Sequence, residues 1–197
     1  MLLSSIIIAL SFKGVNKMKK NLKMMLRAAI FAALTAVGAF IKIPLGDLSV
    51  TLQVMFSLMS GLMLGAKWGA ISQAVYVGLG FIGVPIFTGG GGPQYALSPS
   101  FGFLLGLILL SFLAGLISKS DLKLKNTIIG SVVGLFALYA IGVPYMYVIM
   151  NAYLGKAVTF GHLLVFSMLV YLPFDAVKIV IAIAISKKVR PLLDKQL

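Results

Sequence analysis

Apolar residues run almost unbroken along this chain, in stretches bounded by Lys, Gly or Pro at roughly 24–43, 50–65, 68–84, 100–118, 127–150 and 161–186. A hydrocarbon core about 30 Å thick takes about 20 apolar residues per helical crossing, so the pattern predicts six membrane-spanning helices. Only Gly65, Ala66 and Lys67 separate the second run from the third; a tight helical hairpin is expected there. The alternating pattern of an outer-membrane barrel is absent, whereas helices satisfy their own backbone groups in lipid, which predicts an all-α integral membrane bundle. Small residues four apart (Gly61 and Gly65, Gly102 and Gly106, Gly130 and Gly134) allow its helices to approach closely. Residues 1–12 are apolar but too short to span and lack a basic lead-in, so no helix is expected there and Met18 reads as the natural start. The expected division is an extension over 1–23, a six-helix domain over 24–187 and a basic tail over 188–197.

Composition agrees with a membrane protein: of 197 residues 60% are hydrophobic and 11% charged, with a mean hydropathy of +1.09. Lys and Arg number 17 against four acidic residues, a net charge of +13, which in a soluble protein would suggest nucleic acid. Placement argues for topology instead. With the N-terminus inside, 14 basic residues fall on the inner side, Lys42 and Lys156 fall outside, and Lys178 lies within a span. Both termini, the 65–67 turn and the 119–125 loop are then expected in the cytoplasm, and 44–49, 85–99 and 151–160 outside. Trp68 beside Lys67 suits an interfacial anchor. The absence of cysteine excludes disulfides and thiolate metal sites.

The stretch YLPFDAVK at 171–178 carries the strongest chemical signal. Asp175 and Lys178, three apart, project from one helical face inside an apolar run, and charges in a membrane span are costly enough to need a reason. One reason is an internal ion pair that locks the bundle; the other is a polar ligand site in which Asp175 accepts N–H bonds and Lys178 donates to a carbonyl or carboxylate. Pro173 has no N–H for the Leu169 carbonyl and is expected to kink the helix just before the pair. A second feature is GVPIFTGGGGPQYALSPSFGF at 83–103, where Gly89, Gly90, Gly91 and Gly92 lie between Phe87 and Tyr95. It reads either as a flexible connector or as a lid whose backbone approaches a ligand; it lacks the ending of a phosphate-binding loop. Gln53 of SVTLQ and Tyr139 and Tyr145 near AIGVPYMY reach the same outer side, as interhelical or belt residues or as parts of a site. With one His, His162, and no carboxylate cluster, catalysis and divalent-metal binding are poorly supported. In the first helix Ala28, Ala32 and Ala36 form one row and Ala29 and Ala33 the adjacent one, a smooth face for packing within the bundle or against another membrane protein.

Together TLQ, GVPIFTGGGG, SPSFGFLLG and PFDAVK, in this order, resemble the BioY family, the biotin-specific substrate-binding (S) components of energy-coupling factor (ECF) transporters, over about residues 24–187. The resemblance implies a multi-pass protein of the cytoplasmic membrane, not an enzyme and with no cofactor. It would bind biotin as transported substrate and work with a transmembrane coupling subunit and two cytoplasmic ATPases. It implies that Asp175 and Lys178 form the polar heart of the site, that Gln53 and Gly89 to Gly92 close it, and that Phe87, Tyr95 and Tyr145 supply apolar contact. By the same resemblance the alanine rows of the first helix (Ala28 to Ala32, Ala29 to Ala33, with Ala36) would meet the coupling subunit. The family's GPTGGY-like block is SPSFGF here, with Ser98, Phe101 and Phe103 in place of Gly, Gly and Tyr. An S component for another vitamin, or a bundle in which Asp175 and Lys178 are purely structural, are the alternatives.

Overall fold

The computed structural model describes residues 2–45, 48–118 and 122–195. The chain runs α1 (Leu2–Phe40), a hairpin of β1 (Lys42–Leu45) and β2 (Leu48–Thr51), α2 (Gln53–Phe81), a 3₁₀ turn (Pro93–Leu97), α3 (Phe101–Ser118), α4 (Leu124–Val148), a π turn (Ile149–Tyr153) and α5 (Phe160–Asp194). Among the described residues, five helices contain segments long and apolar enough to cross a membrane; in α1 that segment is Met18–Phe40. Helix α1 packs on α2, α2 on α3 and α5, and α4 on α3 and α5.

Helix α2 is a folded pair of arms. Gly65 takes φ 80° and ψ 174°, a backbone region open essentially to glycine alone, and the chain reverses there. Gln53 consequently bonds to Tyr76, 23 residues on, and Gln73 to Ser60, contacts that a straight helix rising 1.5 Å per residue would hold far apart. Where the arms meet, a methyl group on Gly69 would overlap Gly61, and one on Gly115 of α3 would overlap Gly65 and Ala66. The hairpin expected from the 65–67 spacing is present in this form.

Elsewhere the boundaries move. The first run was expected to stay helical to residue 43, but α1 stops at Phe40 and Lys42 enters a strand, because Pro44 cannot donate to a helix and biases Ile43 toward extended backbone. β1 pairs antiparallel with β2, Lys42 opposite Thr51 and Ile43 opposite Val50. The segment 1–12, expected to hold no helix, is helical from Leu2 as a continuation of α1, and α5 runs past residue 187 to Asp194. Propensity is satisfied by extending existing helices, since adding residues to a formed helix avoids the cost of a new nucleus.

Two arginines fasten the end of the bundle that holds the Gly65 reversal. Arg27 of α1 donates from Nη2 to the Leu193 carbonyl near the end of α5, 2.9 Å away. Arg190 of α5 donates to the Leu62 carbonyl, just before the reversal. Both cations sit where helix-terminal carbonyls lack intrahelical donors and the macrodipole is negative. At the opposite end lie the β-hairpin, the glycine loop and the 3₁₀ turn.

Candidate binding site

Below the β-hairpin the helices enclose a cavity of about 330 Å³, within the size range of small-molecule sites. α5 supplies Asp175 and Lys178, which are only 4% and 7% exposed. Three residues apart on one helix, they pair directly, Lys178 Nζ to Asp175 Oδ1 at 2.8 Å. The other carboxylate oxygen, Oδ2, accepts from the Tyr139 hydroxyl of α4 at 2.7 Å. The charge pair is thereby internally neutral and fixed from two helices, while all three side chains still line the cavity.

The far wall is built from loops and the α2 arms. Thr51 ends β2 and Gln53 opens α2, and the Gln53 amide is heavily engaged: Oε1 accepts from Thr51 Oγ1 at 2.9 Å and Thr88 Oγ1 at 3.3 Å, and Nε2 donates to Tyr76 Oη at 2.7 Å. The Tyr76 hydroxyl in turn donates a hydrogen bond to the Ile86 carbonyl at 3.1 Å. One amide therefore ties the hairpin, both arms of α2 and the glycine loop together. At the exposed edge Lys42 Nζ donates to the Thr88 carbonyl at 2.9 Å, leaving two of its three N–H groups to other acceptors. The lining also includes Ser98 and Ser100, whose hydroxyls lie 2.9 Å apart, with Tyr95 Oη 3.2 Å from Ser100. Phe103, Leu104, Leu107 and Leu138 supply the apolar part. Counting Lys42, Lys178 and Asp175, the lining carries a net charge of +1.

Of the residues singled out in the sequence, Asp175, Lys178, Gln53, Gly89 and Tyr95 meet at this cavity; Phe87, Gly90, Gly91, Gly92 and Tyr145 do not line it. Phe87 is fully buried behind the wall, its ring against Tyr76 at 5.6 Å and Tyr95 at 4.8 Å. Gly90 exchanges backbone hydrogen bonds with Phe87, and Gly92 donates to the Gly80 carbonyl. A side chain on Gly91 would run into the Val84 carbonyl. The four glycines thus fold the loop back on the end of α2, and of the four Gly89 lines the cavity. Tyr145 donates from its hydroxyl to Ala96 O at 2.6 Å and holds the 3₁₀ turn.

The alanine rows divide as well. Ala28 and Ala32 are buried inside the bundle, packed within this chain. Ala29 and Ala33 are exposed and Ala36 is partly so. Sequence reasoning missed Lys42, Thr51, Ser98, Ser100, Phe103 and Tyr171 as lining residues and left Tyr139 between belt and site. Lys42 lies outside the quoted motifs and the other five lie within them, but hydroxyls and rings at helix and loop ends are too common to single out.

A cavity lined by hydroxyls and a buried ion pair, within a bundle of membrane-length helices, defines a membrane protein that binds a small polar molecule. The chain belongs to the BioY family, whose sequence model matches residues 13–195. It is 45% identical over 137 residues, 68% of this chain and 69% of the relative, to a probable biotin transporter BioY of Lysinibacillus sphaericus. It is 35% identical to the biotin transporter BioY of Thermotoga maritima, over 87% of this chain and 98% of that protein. The fold matches the crystal structure of the S-component for biotin from an ECF-type ABC transporter with a TM-score of 0.75 at 26% identity, covering 88% of this chain and 93% of that one.

Proposed function

We propose that this protein binds biotin in the cavity and delivers it across the cytoplasmic membrane as the S component of an ECF-type transporter, with a transmembrane coupling subunit and two cytoplasmic ATPases as partners. The observation that carries the reading is the polarity of the cavity. Asp175, Lys178 and Tyr139 form a neutral, buried donor–acceptor set, suited to a uncharged head group that both donates and accepts, as the ureido ring does. Lys42, exposed at the rim, suits a carboxylate. A net +1 lining matches a neutral ring joined to one carboxylate tail, and the leucines and Phe103 suit the thioether ring and methylenes between them.

The two arms of α2 count as separate crossings in this reading, giving six, with both termini cytoplasmic. The distribution of 14 basic residues against two supports that orientation, as does the presence of Arg27, Lys67 and Arg190 at one end of the bundle. The relatives' printed names and the matched biotin S-component support the substrate and the ECF module.

Equilibrium binding to the purified protein in detergent tests the proposal, with biotin against thiamine and riboflavin. Saturable binding of biotin alone is expected. Binding of another vitamin instead, or of none by folded protein, would overturn it.

A further inference from the structure

A second cavity, about 260 Å³, lies between α4 and α5 on the outside of the bundle. Phe136, Ala140 and Pro144 form one i, i+4, i+8 row on α4, and Phe160 and Leu164 form a facing pair on α5. Ala140 makes the notch: its methyl sits between a phenyl and a proline ring on a row that is exposed throughout. The ring of Tyr139 lines this groove as well as the central cavity. Its hydroxyl is turned inward to Asp175, so the groove is left with an apolar surface. Both rows lie in segments of membrane-spanning length and hydropathy, Leu124–Tyr153 and Phe160–Asp194. Lipid chains surround such segments, and water gains nothing in an apolar notch without polar partners.

We propose that this groove seats an acyl chain of a membrane phospholipid, and that the chain backs the Tyr139 ring from the side opposite its bond to Asp175. A seated chain restores the dispersion contacts that an empty groove forfeits and holds the Tyr139 ring where its hydroxyl meets the carboxylate. Tyr139 is thus a wall shared by lipid and ligand site. The seat itself depends only on the membrane setting; its effect on ligand binding rests on the proposed biotin site.

Photocrosslinking with a phosphatidylcholine carrying a diazirine in one acyl chain tests the seat, on the full chain in lipid nanodiscs with peptides mapped by mass spectrometry. Label is expected to concentrate on Phe136, Ala140, Phe160 and Leu164 over Val177 and Val180, which are exposed on α5 outside the groove. Ala140→Trp, which fills the notch, should lose the groove label several-fold and keep the label at the control positions; Leu164→Trp serves if Ala140→Trp does not fold. Uniform labelling overturns the seat, and so do groove crosslinks between two copies of the chain that rise with protein density. For the coupling, stripping lipid in detergent should weaken biotin binding several-fold in the unaltered protein and leave Ala140→Trp unaffected. Equal sensitivity in both overturns the coupling. Failure of any form to bind biotin would overturn the proposed function while leaving the crosslink map standing.

Discussion

At the scale of single residues, the question is whether the Asp175–Lys178 pair serves a ligand or only the fold. Its geometry permits a decisive comparison. Removing one charge leaves the other buried without compensation, so Lys178→Met should destabilise the folded protein by about 3–5 kcal/mol, whereas replacing both partners with apolar residues of similar volume is often neutral. The double variant Asp175→Leu with Lys178→Met is therefore expected to regain thermal stability and to bind no biotin; a double variant that still binds would assign the pair to structure alone. A milder probe is Tyr139→Phe, which keeps the ring but deletes the hydrogen bond to Oδ2. Hydrogen bonds to charged groups contribute about 1.5–3 kcal/mol to stability, so a lower melting temperature of that order in lipid is expected, together with weaker biotin binding by calorimetry because Asp175 loses a partner that orients it. The charge pair was legible in the sequence because charges in apolar runs are rare. Tyr139 was not, since a tyrosine 36 positions away carries no mark of which carboxylate it will meet.

At the scale of elements, the α2 reversal is the joint on which the site depends. It brings Gln53 at the start of the first arm beside Tyr76 near the end of the second, and that bond carries the β-hairpin and glycine loop with it. Gly65 is the residue that permits the turn. Gly65→Val forces a side chain into a backbone region that costs about 1–3 kcal/mol, and the expected outcome is a lower unfolding temperature of that order with the affinity of the folded fraction retained, because Gly65 lies at the end away from the cavity. A loss of affinity without a loss of stability would mean that the turn is coupled to the site. The hairpin of helices could be read from the short spacing between two apolar runs, whereas the strands β1 and β2 were absorbed into those runs. Pro44 and the Gly46-Asp47 pair mark a break and a turn, but four-residue runs this apolar also read as the ends of the flanking helices. The glycine loop is ambiguous for a similar reason. Four glycines announce close backbone approach without saying to what, and at Gly91 the neighbour is the chain's own Val84 carbonyl.

At the scale of the whole molecule, the surface of α1 determines how a partner in the membrane would meet this protein. Sequence periodicity marks two alanine rows one residue apart and does not distinguish them, because amphipathicity disappears when both the core and the lipid are apolar. Packing separates them: Ala28 and Ala32 are 3% and 5% exposed, with Phe31 and Thr35 buried on the same side, while Ala29 and Ala33 face outward beside exposed Ile30 and Val37. Small side chains on an outward face let another helix approach closely, so the outer row is the one available to the proposed coupling subunit. Ala29→Leu with Ala33→Leu should then prevent co-purification with that subunit while biotin binding by the isolated protein stays intact. The same enlargement at Ala28 and Ala32 overpacks the interior, at typically about 1–3 kcal/mol per site, and should lower thermal stability before any question of assembly arises. If the outer pair assembled normally while the inner pair folded and failed to assemble, α1 would have to rotate on docking, and the row buried in the free protein would be the one its partner reads.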